Sequence, residues 1–156
     1  MKGLLKISTV AFISVLVLST PAISKNHQVN KQVDENKMVV KNVYEHVMSK
    51  GKLEQADKWI EKNYVDHDPD TPPPGGIEGF KKFFTMLRTA FPDLKVTVQD
   101  IIAENDKVVA RVIFTGTQKG EFMGIPATGN KINVSAVDTL RLSKGKIVEH
   151  WGLMDT

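Results

Sequence analysis

The chain has 156 residues, of which 41% are hydrophobic and 25% charged, with no cysteine and a formal charge of +3. That length holds one domain with a sizeable core, and the composition is that of a globular protein rather than a disordered one. Without cysteine there are no disulfides and no thiolate chemistry, so burial alone must hold the fold.

Residues 1–24 read as a secretory signal peptide. Lys2 and Lys6 give a basic start, Ile7 to Leu18 is mostly apolar, and Pro21-Ala22-Ile23-Ser24 offers small residues for cleavage. The apolar run is shorter than the roughly 20 residues of a membrane span. No cysteine follows it for lipid attachment. A secreted or periplasmic protein without a stable membrane anchor is therefore expected once the leader is cleaved. Removing Lys2 and Lys6 leaves 19 basic against 18 acidic residues. No basic patch survives that balance, which argues against nucleic acid as a partner.

Lys25 to Lys37 is polar and aperiodic, and is expected to be a disordered spacer before a domain spanning 38–156. From Met38 a helical period begins, with Val40, Val43, Tyr44, Val47 and Met48 on one stripe and Gly51 as its stop. Leu53, Ala56, Asp57 and Ile60 suggest a shorter second helix. Tyr64 to Gly76, with four prolines and two glycines, predicts a rigid irregular loop. Ile77, Phe80, Phe84, Leu87 and Phe91 mark a third amphipathic helix, ended by Pro92.

After Pro92 the period becomes two. Leu94 to Glu104 and Lys107 to Gln118 read as strands joined at Asn105-Asp106, and Gly120 to Gly129 as a loop. Lys131 to Asp155 then forms a β-hairpin. Helices followed by antiparallel strands give an α+β fold. A twisted sheet wrapped on three helices leaves a cavity on its concave side, where a small ligand is expected.

The hairpin holds the sharpest chemistry. Ile132, Val134, Ala136, Asp138, Leu140 and Leu142 share a face, and only Asp138 among them is charged. A three-residue Ser143-Lys144-Gly145 loop places Asp138 opposite His150, whereas a two-residue Lys144-Gly145 turn places it opposite Trp151. The lone glycine favours the first. Asp138 would then orient His150 and leave a ring nitrogen as general base. The competing reading is a polar pair that fixes strand register. The face with Ile147, Trp151 and Leu153 would point away from the cavity and seek cover in a homodimer.

His67 lies in a loop with Asp66, Asp68 and Asp70. The Asp spacing hints at calcium but fails at Thr71 and Ile77, where a calcium loop needs Gly and Glu. A zinc site from His67, His150 and a carboxylate has no paired-ligand spacing behind it. Nucleophile elbows and phosphate loops are absent from the sequence.

Four segments, YVDHDP, GIEGFKKFFTMLRTAFPDL, GEFMGIPATGNKI and DTLRLSKGKIVEHWGLMD, together resemble the SnoaL-like polyketide cyclases and ester cyclases of the nuclear transport factor 2-like superfamily. The resemblance implies a cone in which three N-terminal helices pack on a curved antiparallel sheet and enclose a pocket. It also implies frequent dimerisation through the sheet, no metal or organic cofactor, and ring closure by an intramolecular aldol step. In those cyclases a His stands where Asp138 is here, the acid/base Asp stands at Gly152, and an Asn at Asp66. The candidate site is thus His150 with Asp138, joined by Asp66 or His67. Tyr44, Tyr64, Phe122, Met123 and Met154 are expected to line the pocket.

Overall fold

The computed structural model describes residues 21–68 and 75–155. Residues 1–20, most of the expected leader, and residues 69–74, with Asp70 and all four prolines of the expected loop, lie outside them. A first helix, α1 (Pro21–Asn42), continues without a break into a π-helical segment, Val43–Ser49. The helical stripe is buried as its period requires, with Val40, Val43, Tyr44 and Val47 all at 2% exposure or less. Gly51, at φ +68, ends it. The Arg88 guanidinium donates to the carbonyls of Met48 and Ser49, acceptors that the helix end leaves without intrahelical donors, and to that of Leu94 before the first antiparallel strand.

The segment expected to be a disordered spacer is helical. Its polarity hides one inward residue. Asn36 is 3% exposed and donates through Nδ2 to the Asn105 carbonyl, while Gln32 donates to its Oδ1. A single buried polar residue leaves no apolar period to detect.

The second helix shortens to a 3-10 segment, Leu53–Lys58, because Ile60 already belongs to a strand, β1 (Ile60–Asp66). Tyr64, Val65 and Asp66 are therefore strand residues, not loop. Its burial shows no alternation and its register slips between Ile60 and Val65, so no period of two announces it. The third helix, α2 (Gly76–Ala90), forms as its spacing predicts and buries Ile77, Phe80, Phe84 and Leu87. Each such side chain contributes about 1.5–3 kcal/mol on leaving water.

β2 (Lys95–Glu104), β3 (Lys107–Thr117), β4 (Lys131–Ser143) and β5 (Lys146–Asp155) complete a five-stranded sheet of order β1-β5-β4-β3-β2. All neighbours are antiparallel except β1, which runs parallel to β5. The hairpin turn has two residues, with Lys144 at φ +50 and Gly145 at φ +75. This is the primed geometry whose twist matches the strands, so the three-residue loop is overturned.

A bulge follows. Leu142 pairs with Ile147 but Arg141 pairs with Glu149, leaving Val148 without a partner. The two-residue turn pairs Ile147 with Leu142 on the inner face, where Ile147 is 1% exposed and not part of the outer surface. The extra residue places Asp138 opposite Gly152 rather than His150 or Trp151. His150 and Asp138 nonetheless share the inner face, two positions apart.

Candidate functional site

Between the helices and the inner sheet face lies a cavity of about 360 Å³. Its walls are largely apolar and include six phenylalanines, from Phe80 on α2 to Phe122 in the loop after β3. At one end sits a chain of polar groups drawn from four elements. Tyr44, on the π-helical segment, donates to Asp138 Oδ2 at 2.5 Å. His150 Nε2 faces Asp138 Oδ1 at 3.4 Å, and its Nδ1 faces Asp66 Oδ1 at 2.9 Å. Tyr64 donates to Asp66 Oδ2 at 2.8 Å.

The local folding explains the placement. Parallel pairing sets Asp66 beside His150 in register, and the His67 amide donates to the His150 carbonyl. Tyr64 and Asp66 are two apart on one strand, so their side chains share a face. Gly152 leaves room for the imidazole: a Cβ there would lie 3.0 Å from His150 Cε1 and 3.3 Å from Asp138 Oδ1.

Electrostatics follow from the geometry. Burial alone would lower the His150 pKa, but hydrogen bonds to Asp138 and Asp66 and their charges outweigh it and raise it to about 9. At neutral pH the ring is thus an imidazolium with both N–H groups directed at carboxylates. Burial first, then the charge and hydrogen bond of Asp138, holds the Tyr44 phenol well above its usual range. Burial and Asp66 do the same for Tyr64.

Among the residues expected at the site, Asp138, His150, Asp66, Tyr44, Tyr64, Phe122 and Met154 line the cavity. Two expectations are corrected. His67 lies outside the cavity, its ring stacked on Trp151 at 4.5 Å and 5°, because strand alternation turns it away from Asp66. Met123 is at the tip of its loop, 59% exposed and outside the lining. The general-base reading of His150 changes as well, since a doubly paired imidazolium has no lone pair to offer.

Sequence reasoning placed Tyr44 in the pocket but missed its bond to Asp138, and missed Asp68 and Gln118 in the lining. The Tyr64-x-Asp66 spacing was the available signal, had the strand been visible. Among the described residues no group of three or more His, Asp or Glu side chains is arranged to hold a metal ion.

An α+β sheet-and-helix domain with an apolar cavity and an internal acid–base chain defines the class of small-ligand cavity proteins. The chain belongs to the SnoaL-like polyketide cyclase family, whose model matches residues 38–156. It is 27% identical over 107 residues to aklanonic acid methyl ester cyclase DnrD of Streptomyces peucetius, covering 64% of this chain and 71% of that one. Among solved structures it is similar to TsrD of Streptomyces laurentii, with a TM-score of 0.71 and 28% identity over 78% of this chain and 89% of that one. It is also similar to wild-type IdmH of Streptomyces antibioticus, with a TM-score of 0.66 and 31% identity over 77% and 91% of the two chains.

Proposed function

We propose that this protein binds a small, largely apolar carbonyl compound and moves a proton on it without a cofactor, in a cyclisation or isomerisation. The observation that supports this is the Asp66–His150–Asp138 chain opening onto an apolar cavity. The charge state of His150 assigns the roles. Asp138 accepts a proton from the carbon beside the carbonyl. His150, through Nε2–H, the longer of its two contacts, gives a proton to the carbonyl oxygen. Asp66 holds the ring by Nδ1 and favours its cationic form before the transfer. The product enol then reacts onward, and Asp138 returns its proton while His150 recovers one, so no net charge is left.

A second reading is a non-catalytic ligand-binding protein on the same fold, favoured by Gly152 at the position where the family's cyclases carry their acid/base Asp. Exchange of the α-protons of 2-tetralone in deuterated water, followed by NMR, separates the two. Exchange faster with protein than in buffer, and lost in Asp138→Asn, is expected. Binding of tetralone with no acceleration would leave the second reading.

The proposal extends to assembly and location. A homodimer through the outer sheet face is supported by Trp151, Val137 and Leu153, which are 37%, 44% and 76% exposed there. Export by the leader at residues 1–24 rests on the sequence, and no described helix is long and apolar enough to cross a membrane.

A further inference from the structure

The cavity's polar end is lopsided in charge. Among the described lining residues there are three carboxylates, Asp66, Asp68 and Asp138, and His150 is the one group able to carry positive charge. With the ring protonated, the Asp66–His150–Asp138 chain still has a net charge of −1, and a neutral ring makes it −2. Neither protonation state of His150 makes this end of the cavity positive.

The hydrogen-bonding capacity is equally one-sided. The Tyr44 and Tyr64 hydroxyls donate to Asp138 and Asp66. Both ring nitrogens of His150 face carboxylate oxygens. The Gln118 side-chain amide donates to the carbonyls of Ile125 and Pro126. In the resting site the donors of the described lining residues are thus engaged within the protein, and only the long Nε2 contact of His150 can be given up to a ligand. A carboxylate offers about four acceptor sites, and Asp138 uses two of them on Tyr44 and His150. What the pocket presents is acceptor capacity and negative charge, beside phenylalanine rings whose faces attract cations.

We propose that the occupant this cavity selects is a protonated amine on an apolar skeleton of two to three rings, with its ammonium group at the Asp138 end. This rests on the reading that the cavity takes a small apolar compound, but not on turnover. The size follows from volume: an apolar cavity of about 150 Å³ takes one benzene ring, so about 360 Å³ takes two or three fused rings. An anionic head group is disfavoured. Like charges brought to contact distance in a partly desolvated site repel.

The test is calorimetric titration of the full chain at pH 7 with 2-naphthylmethylammonium, 2-naphthylmethanol and 2-naphthoate. These probes share a ring system and differ in head-group charge. The ammonium compound binds tightest, the alcohol next, and the carboxylate at least about tenfold weaker than the ammonium. Asp138→Asn narrows that gap, with Asp66→Asn as the second variant should the first not fold. Naphthoate binding as tightly as the amine, no binding by any of the three, or a gap unchanged in the folded variants overturns the proposal. Charge-selective binding without tetralone exchange would defeat the catalytic reading alone, and exchange without charge selectivity would defeat this inference alone.

Discussion

His150 Nδ1 lies 2.9 Å from Asp66 Oδ1, and the two residues are also backbone partners across the single parallel strand pair of the described sheet. Side-chain contact and main-chain register therefore enforce each other. The imidazole is held by β1 on one side and by Asp138 of β4 on the other, which leaves it little rotational freedom.

The first prediction concerns its titration. The folded-state pKa of about 9 lies above the unfolded value of about 6.5. The resulting stability is fully present below pH 6.5, declines as the pH climbs, and is lost above 9; its size is on the order of 3 kcal/mol. NMR titration should place His150 near 9 in the native protein and markedly lower in Asp66→Asn or Asp138→Asn. A native value at or below 6.5 would show that burial wins over the two carboxylates.

Gly152→Ala tests how tightly the ring is held. In an ordinary strand, replacing Gly by Ala gains roughly 0.5–1 kcal/mol. Here the new methyl would press on His150 Cε1 from 3.0 Å, and the ring cannot retreat without breaking a contact to Asp66 or Asp138. The variant should lose about 1 kcal/mol and shift the His150 titration. A variant more stable than the native protein would mean that the ring moves aside freely.

Truncation tests the start of the domain. Deleting residues 1–36 removes the bond from buried Asn36 to the Asn105 carbonyl, along with the turns of α1 before it. A cost of about 1–2 kcal/mol, several degrees in the thermal midpoint, is expected. An unchanged midpoint would show that the helix before Met38 adds nothing.

The outer sheet face should be covered in solution. Sedimentation at micromolar concentration is expected to give a dimer, and Leu153→Glu, which charges a residue 76% exposed in the single chain, to give a monomer. A native protein that sediments as a monomer removes the case for this interface.

Much of the fold was legible because its periods are strong. The stripes from Val40 to Met48 and from Ile77 to Leu87, and the alternation through β3 and β4, follow from burial on one side. β1 was not legible: a short parallel edge strand with a slipped register leaves no alternation, and the prolines after Asp68 suggested loop. That miss hid the Asp66–His150 contact and misplaced His67, whose direction is decided by the strand. The pairing of Asp138 with His150 was anticipated for the wrong reason. A two-residue turn alone would have put His150 on the far face, and the bulge at Val148 restored it. Single-residue insertions of this kind have no sequence period to mark them.

The pairing of β1 with β5 also has a consequence for how the protein is made. A ribosome delivers Asp66 long before His150, since 84 positions separate them, and the edge strand has no neighbour until the final ten residues of the sheet emerge. Until then Asp138 and Asp66 must stay hydrated, because burying either without the imidazolium would strand a charge at a cost of several kcal/mol. A nascent chain stalled before β5 should consequently be protease-sensitive through β1 and unable to close its cavity.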